Sequence, residues 1–237
     1  MTLKPKYEGR ELEALQGLSN YQKWIIDYFK PYLYGQCIEY GAGTGTYSAL
    51  LQPYAERLIL VEPSPNLAAE LRSRFEGEKE ISVIEDSLET HVSDREDSST
   101  DTIVLINVLE HIKDDKNILD EFFRVLKPGG NLLLFVPALN FLFSNMDRVL
   151  KHYRRYNLKD LGSIVEDSGF TIIDARYFDF LGIFPWWLIF TLGGKEEFNS
   201  KLSVLYDRLG VPASRFIEGL AQPLFGKNII LAARHDQ

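Results

Sequence analysis

Three glycines in alternate positions, Gly41, Gly43 and Gly45, follow the short apolar run Cys37-Ile-Glu-Tyr40. A glycine-rich turn between a strand and a helix lets bare backbone approach a ligand and aims helix N–H groups at its negative part. The spacing is not that of a dinucleotide fingerprint, whose third glycine would stand where Thr46 is. Alone, the loop predicts only a nucleotide-like or strongly polar ligand. The next apolar run, residues 57–61, ends in Glu62, and a carboxylate at the second strand's tip in such folds takes a ribose diol. A third run, 81–84, ends in Glu85, Asp86 and Ser87, which adds polar side chains along the same edge.

Two further groups have the residue types for proton handling and anion binding. Glu110 and His111 follow the apolar run 101–106, where an imidazole reached by solvent titrates in the useful range. The other reading of His111 is a structural histidine, hydrogen-bonded across a strand-to-helix turn. Residues 147–156 crowd a carboxylate (Asp147), an imidazole (His152), several cations and two phenols (Tyr153 and Tyr156) into one stretch. Arg154 and Arg155 could clamp a substrate carboxylate or phosphate by paired bonds. Alternatively, the arginines pair with the chain's own acids and the tyrosines pack internally.

These groups need elements to position them. Ser19 reads as the cap of a helix with Tyr21, Trp24, Ile25, Tyr28 and Phe29 at helical spacing, which Pro31 stops; this helix could cover the ligand cleft. A first crossover helix is expected from Thr46 to about Leu51. Ser64-Pro65 starts another, with Leu67, Leu71 and Phe75 on one face and Gly77 closing it. Residues 91–100, crowded with Asp, Glu and Ser, read as a solvated loop. The unbroken apolar run 101–106 reads as a central strand covered on both faces, and it delivers Asn107 to the rim that holds Glu39, Glu62 and Asp86.

Asp114-Asp115 opens a helix with Ile118, Leu119, Phe122, Val125 and Leu126 on its apolar face, and residues 127–130 turn it into a strand at 131–136. Asn157 caps a helix carrying Leu158, Leu161, Ile164 and Val165, and strands follow at 170–178 and 228–233. Strand alternating with helix predicts a doubly wound parallel sheet. Between the last two strands, residues 179–226 form an insertion with two expected helices, one carrying Phe198, Leu202, Leu205 and Leu209, the other spanning 213–222. Within it, residues 180–192 are strongly apolar but too short to span a bilayer. They read as a packed element, a lid or a peripheral membrane contact, with Phe184, Trp186, Trp187 and Phe190 forming an aromatic patch that more often serves as core.

At this point the sequence resembles the class I S-adenosylmethionine-dependent methyltransferases. The match rests on Glu39-x-Gly-x-Gly-x-Gly45, Glu62, Asp86, Asn107-Val-Leu-Glu-His111 and Arg124-Val-Leu-Lys-Pro-Gly-Gly130, in the family's order. A subgroup of small-molecule enzymes also has an Asp and a His-Tyr-Arg-Arg-Tyr string after the fifth strand, although its usual preceding glycine is Lys151 here. The resemblance implies a seven-stranded, mostly parallel sheet with an antiparallel last strand, and S-adenosylmethionine as cofactor. It implies that Gly41, Ala42, Gly43 and Gly45 meet the cofactor's amino-acid end, and that Glu39 orients the loop or takes the ammonium. Glu62, beside Pro63, would hold the ribose. Asp86, or its equally acidic neighbour Glu85, would frame the adenine with Ser87, and Asn107 would face the methionine portion. Asp147, Arg154, Arg155, Tyr156 and Trp186 are the expected substrate residues, with His111 or His152 as base and no metal.

Composition narrows the partners. The 237 residues, 45% hydrophobic, suffice for one α/β core at 36–237 preceded by a helical arm or cover at 1–35. Residues 1 to about 18 read as an irregular arm or a loose helix. A net charge of -8 offers no general attraction for nucleic acid, and the single cysteine, Cys37, excludes a disulfide framework and a cysteine metal cluster. No signal peptide is evident, and a reducing cytoplasm is the expected setting. The resemblance thus implies methyl transfer to the oxygen, nitrogen or carbon of a small molecule by in-line displacement, catalysed mainly by positioning. The rivals are an inactive S-adenosylmethionine-binding partner subunit and a nicotinamide-dependent oxidoreductase, for which the glycine spacing is wrong and no Tyr-x-x-x-Lys occurs. The acceptor and the oligomeric state stay open.

Overall fold

The computed structural model describes residues 17–197 and 199–236, so Phe198 and all but the last two residues of the arm expected over 1 to about 18 lie outside the described residues. Among those described, seven strands form one sheet: β1 Gln36–Tyr40, β2 Arg57–Val61, β3 Ile81–Ile84, β4 Thr100–Ile106, β5 Leu126–Pro137, β6 Thr171–Phe178 and β7 Asn228–Arg234. Their order is β3-β2-β1-β4-β5-β7-β6. The first five run parallel, and β7 pairs antiparallel with both β5 and β6. The chain reverses direction of travel between β3 and β4, so the crevice above β1 and β4 opens at the carboxyl edge, where such sheets bind ligands.

Alternating side chains of the central strands bury into two cores. Ile38, Tyr40, Ile103, Leu105, Leu134 and Val136 face one way, against Leu119, Phe122 and Val165. Cys37, Leu58, Leu60, Val104, Leu133 and Phe135 face the other, against Trp24, Ile25 and Phe29. Two-sided burial is why these strands read as continuous apolar runs. Cys37 is a buried packing residue, its thiol pushed up to about 11 by burial.

Several boundaries differ from the sequence expectation, each for a physical reason. Helix α1, Ser19–Phe29, begins on Ser19 rather than being capped by it. The cap comes from far along the chain: buried Asp207 accepts from the Asn20 and Tyr21 amides at 3.2 and 2.9 Å. The helix lies on a sheet face, with Trp24 against Phe178 at 3.9 Å between ring centroids. The first crossover helix, α2, Ser48–Leu51, starts later than expected and tightens into a 3-10 turn at Gln52–Tyr54 that contains Pro53. After α3, Pro65–Arg74, the stretch expected as a loop at 91–100 opens with helix α4, Leu88–Ser93, and closes inside β4. The Ser87 side chain accepts from the Thr90 amide to cap α4, and His91 is buried beside the Tyr40 hydroxyl at 3.1 Å.

Helix α5, Asp115–Val125, is capped by the Asp114 carboxylate. Residues 127–130 are strand rather than turn, because the His235 carbonyl and amide pair with Gly129 and Gly130. Helices α6, Asn145–Val149, and α7, Leu158–Asp167, then lead to β6. In the insertion, α8, Ile183–Trp186, passes into a π turn. Helices α9, Ser200–Leu205, and α10, Val211–Leu220, are joined by a second π turn at 206–210, so the second helix starts two residues earlier than expected. The expected aromatic patch is split: Phe190 is buried and Trp186 half-buried, whereas Phe184 and Trp187 are exposed. Among the described residues, no helix is long and apolar enough to cross a membrane.

Candidate active site

The glycine loop is fastened to the strand beside it. Gly41 and Ala42 donate to the Val61 carbonyl at 2.8 and 3.3 Å. One Glu62 oxygen accepts from the Gly43 amide and the other from the Ser64 amide, each at 2.9 Å. Glu62 is buried, yet each oxygen keeps acceptor capacity beyond its single bond. Two glycines are required by their surroundings as well as their backbone. Gly41, at φ +70°, would put a β-carbon 2.6 Å from the Val108 side chain, and Gly45, at φ +76°, would put one 2.8 Å from Leu71 and Phe75.

Behind the loop, buried Glu39 accepts from the Ser48 hydroxyl at 2.5 Å. Burial raises its pKa to about 8; the Ser48 bond offsets part of this and nearby Glu62 adds to it. Asn107 holds a left-handed φ of 54° at the tip of β4, its amide donating to the Phe135 carbonyl at 2.8 Å. Asparagine is among the few non-glycine residues that enter this region readily. At the third strand's end, Asp86 accepts from the Ser87 amide at 2.8 Å, while the Ser87 hydroxyl is engaged with Thr90. Glu39, the glycine loop, Glu62, Pro63, Asp86, Ser87 and Asn107 therefore share the carboxyl edge of adjacent parallel strands.

The second cluster is tightly knit. Asp147 is fully buried; one of its oxygens accepts from the Ser144 amide and hydroxyl, and the other faces His152 Nδ1 at 3.0 Å. Arg155 grips both Asp147 oxygens, at 2.8 and 3.2 Å, donates to the Ala138 carbonyl, and lies 4.5 Å above the Trp186 ring. Burial alone would raise the Asp147 pKa, but His152 and Arg155 outweigh it and bring it to about 2. Arg154 is spent on Asp115, at 2.6 Å, and the Lys113 carbonyl, at 2.5 Å. The Tyr156 hydroxyl donates to Asp115 at 2.8 Å. Asp147, Arg154, Arg155 and Tyr156 thus brace the wall of the site, with their main groups engaged internally.

What this wall presents is a pair of histidines. The His111 and His152 rings meet edge to face at 4.7 Å. Desolvation in this crowded corner, then the His152 ring, lower the His111 pKa to about 4, although the residue keeps an exposed surface. In the sequence, Glu110 stands out only as the neighbour of His111, with no role of its own. It is fully buried 3.9 Å from His152 Nε2, and burial raises its pKa to about 8. Ser48 was also missed, and no local motif marks it. Ser144 was missed too, although Ser144-x-x-Asp147 has the spacing of a capping box that could have marked it.

A family model described as a methyltransferase domain matches residues 18–175. A protein of Mycolicibacterium smegmatis named "probable S-adenosylmethionine-dependent methyltransferase" is 29% identical over 149 residues, covering 62% of this chain and 54% of its own length. The ubiquinone/menaquinone biosynthesis C-methyltransferase UbiE of Desulfotalea psychrophila is 23% identical over 158 residues, covering 62% and 59%. The chain spans little more than half the length of these curated relatives. A chain from the complex of the Haloferax volcanii Trm112 methyltransferase activator with a methyltransferase shares the fold, at a TM-score of 0.67 and 13% identity over 97% of this chain and 95% of that one. Matched by the family model over most of its length and folded as a seven-stranded, mostly parallel sheet, the chain belongs to the S-adenosylmethionine-dependent methyltransferases of Rossmann-like fold.

Proposed function

We propose that the chain transfers the methyl group of S-adenosylmethionine to a small-molecule acceptor by direct displacement. The observation that carries this reading is the joint placement of the glycine loop and Glu62, whose carboxylate is tied to the amides of Gly43 and Ser64. A nucleoside whose ribose bridges Glu62 would have its amino-acid end over the glycines, with Glu39 behind them. The acceptor's nucleophile attacks the methyl carbon as the bond to sulfur breaks, and the leaving group is neutral S-adenosylhomocysteine. Positioning supplies most of the rate, because the sulfonium already carries the reactivity.

The acceptor side of the rim is the corner of Glu110, His111 and His152, beside which the acceptor gives up any proton it must lose. Trp186 and Tyr153 stand beside this corner, bonded to Leu142 and to the Glu110 carbonyl, and favour an acceptor with an apolar portion. The relation to UbiE, whose name places it in quinone biosynthesis, supports the same direction. A small molecule is also consistent with the net charge of -8, which disfavours nucleic acid.

Isothermal titration calorimetry with S-adenosylmethionine and S-adenosylhomocysteine tests the reading. Saturable one-to-one binding of both is expected, followed by turnover on an acceptor panel that includes phenols and quinols. Absence of binding by either compound overturns it, and binding without turnover on any acceptor favours the inactive partner subunit.

A further inference from the structure

The corner between the β4 tip and the 147–156 segment contains one carboxylate that the fold leaves unsatisfied. Glu110 is fully buried, and among the described residues neither of its carboxyl oxygens has a hydrogen-bond partner. A buried carboxylate without a partner is costly, and one that a fold retains calls for an explanation, such as a catalytic role or a bound water or ion. Two imidazoles stand next to it. The ligand atoms of Glu110, His111 and His152 all lie within 4.8 Å of one another. Donors bound to one ion at about 2.1 Å stand roughly 3.4 Å apart in a tetrahedron. Small rotations of the His111 and Glu110 side chains would therefore close the set.

The surroundings of His152 match what a ligating histidine needs. Its Nδ1 faces the Asp147 carboxylate at 3.0 Å, which leaves Nε2 directed to the Glu110 side, 3.9 Å away. Asp147 is itself locked by the Ser144 amide and hydroxyl and by Arg155. A carboxylate on the far nitrogen fixes the tautomer and orientation of a metal-bound imidazole and raises its basicity. Asp147 thus has the place of an outer partner, and the Ser144 cap that holds it is part of the same construction.

From this juxtaposition we propose that Glu110, His111 and His152 bind a first-row divalent transition-metal cation, with Asp147 orienting His152. Two imidazoles and one carboxylate suit zinc, iron, cobalt or manganese, whereas calcium and magnesium prefer oxygen ligands throughout. Three protein ligands leave at least one coordination position open. Taken with the methyl-transfer reading, on which this step rests, an acceptor hydroxyl fills that position: the cation lowers its pKa, its proton goes to solvent, and the metal-held oxygen is the atom that takes the methyl.

The test uses the full 237-residue chain, stripped with a chelator and titrated with Co2+, whose visible absorption reports nitrogen and oxygen ligation. One equivalent is expected to bind with a ligand-field spectrum. His111→Ala, at a residue that keeps an exposed surface, should weaken binding at least tenfold, and Glu110→Gln, which keeps the buried shape, should do the same. Absence of a one-to-one spectrum, or unchanged Co2+ affinity in both variants, overturns the proposal. S-adenosylhomocysteine calorimetry on the same samples separates the two readings. Cofactor binding without Co2+ binding removes the metal site and leaves methyl transfer standing; Co2+ binding without cofactor binding does the reverse.

Discussion

Among single residues, the two carboxylates beside the glycine loop show how one side-chain type is set to two tasks. Glu62 keeps both oxygens bonded to backbone amides, which holds the loop. Glu62→Ala should therefore lower affinity for S-adenosylhomocysteine by roughly 1 to 3 kcal/mol, the cost of unpairing buried hydroxyls. Calorimetry checks this, and unchanged affinity removes the ribose assignment. Glu39 has only the Ser48 hydroxyl, and its pKa rises from 4.5 to about 8 because burial penalises its charged form. The folded protein then holds this proton at pH values where the unfolded chain has released it. Between pH 4.5 and about 8 the native state binds more protons, so this group makes stability fall as pH rises. Glu39→Gln keeps the acceptor for Ser48 and removes the titration. Relative to the parent, the variant should gain roughly 2 to 4 kcal/mol of stability between pH 5 and pH 8, read from urea unfolding at the two values. A constant difference across that range would show that Glu39 ionises normally.

Elements, rather than residues, decide what could be foreseen from the sequence. The strands at β1, β2, β4 and β7 were legible because two-sided burial writes an unbroken apolar run, and the glycine loop because its backbone admits few other residues. What was not legible depends on groups far apart in the chain: the start of α1 is set by Asp207, the extension of β5 by His235, and the meeting of Glu110 with His152 by the Ala138–Tyr156 bridge, which ties the 147–156 segment to the sheet. The acidic composition of 91–100 hid a short helix because α4 starts at its Ser87 cap before that stretch and buries only Leu88, His91 and Val92, too brief a stripe to stand out. The loop makes a measurable claim as an element. Gly41→Ala puts a side chain at φ +70° and a β-carbon 2.6 Å from Val108. The left-handed backbone alone should cost about 1 to 2 kcal/mol. Adding Val108→Ala should recover only the clash, so a double-mutant cycle on urea unfolding will give a non-zero coupling with a residual loss. Full recovery would show that the backbone at Gly41 carries no constraint.

Over the whole molecule, the described chain is a sheet with an insertion fastened to it at a few buried polar points. Asp179, fully buried at the exit of β6, accepts from the Gly182 amide at 3.1 Å and from the Tyr206 hydroxyl, and it pairs with Lys227 at 3.0 Å. Asp207 adds the link to α1. Much of the insertion's remaining surface is apolar and exposed, including Leu188, Leu192, Leu209, Phe216 and Leu220, so apolar contact with the sheet is a limited part of what holds it. Removing one partner of a buried charge pair leaves the other uncompensated and costs about 3 to 5 kcal/mol. Asp179→Ala should concentrate that loss in the insertion, because the two sheet cores contain few residues from it. Hydrogen exchange should then accelerate across 183–220 while β1, β4 and β5 stay protected near the parental level. Uniform acceleration through the sheet would mean instead that insertion and sheet unfold as one cooperative unit.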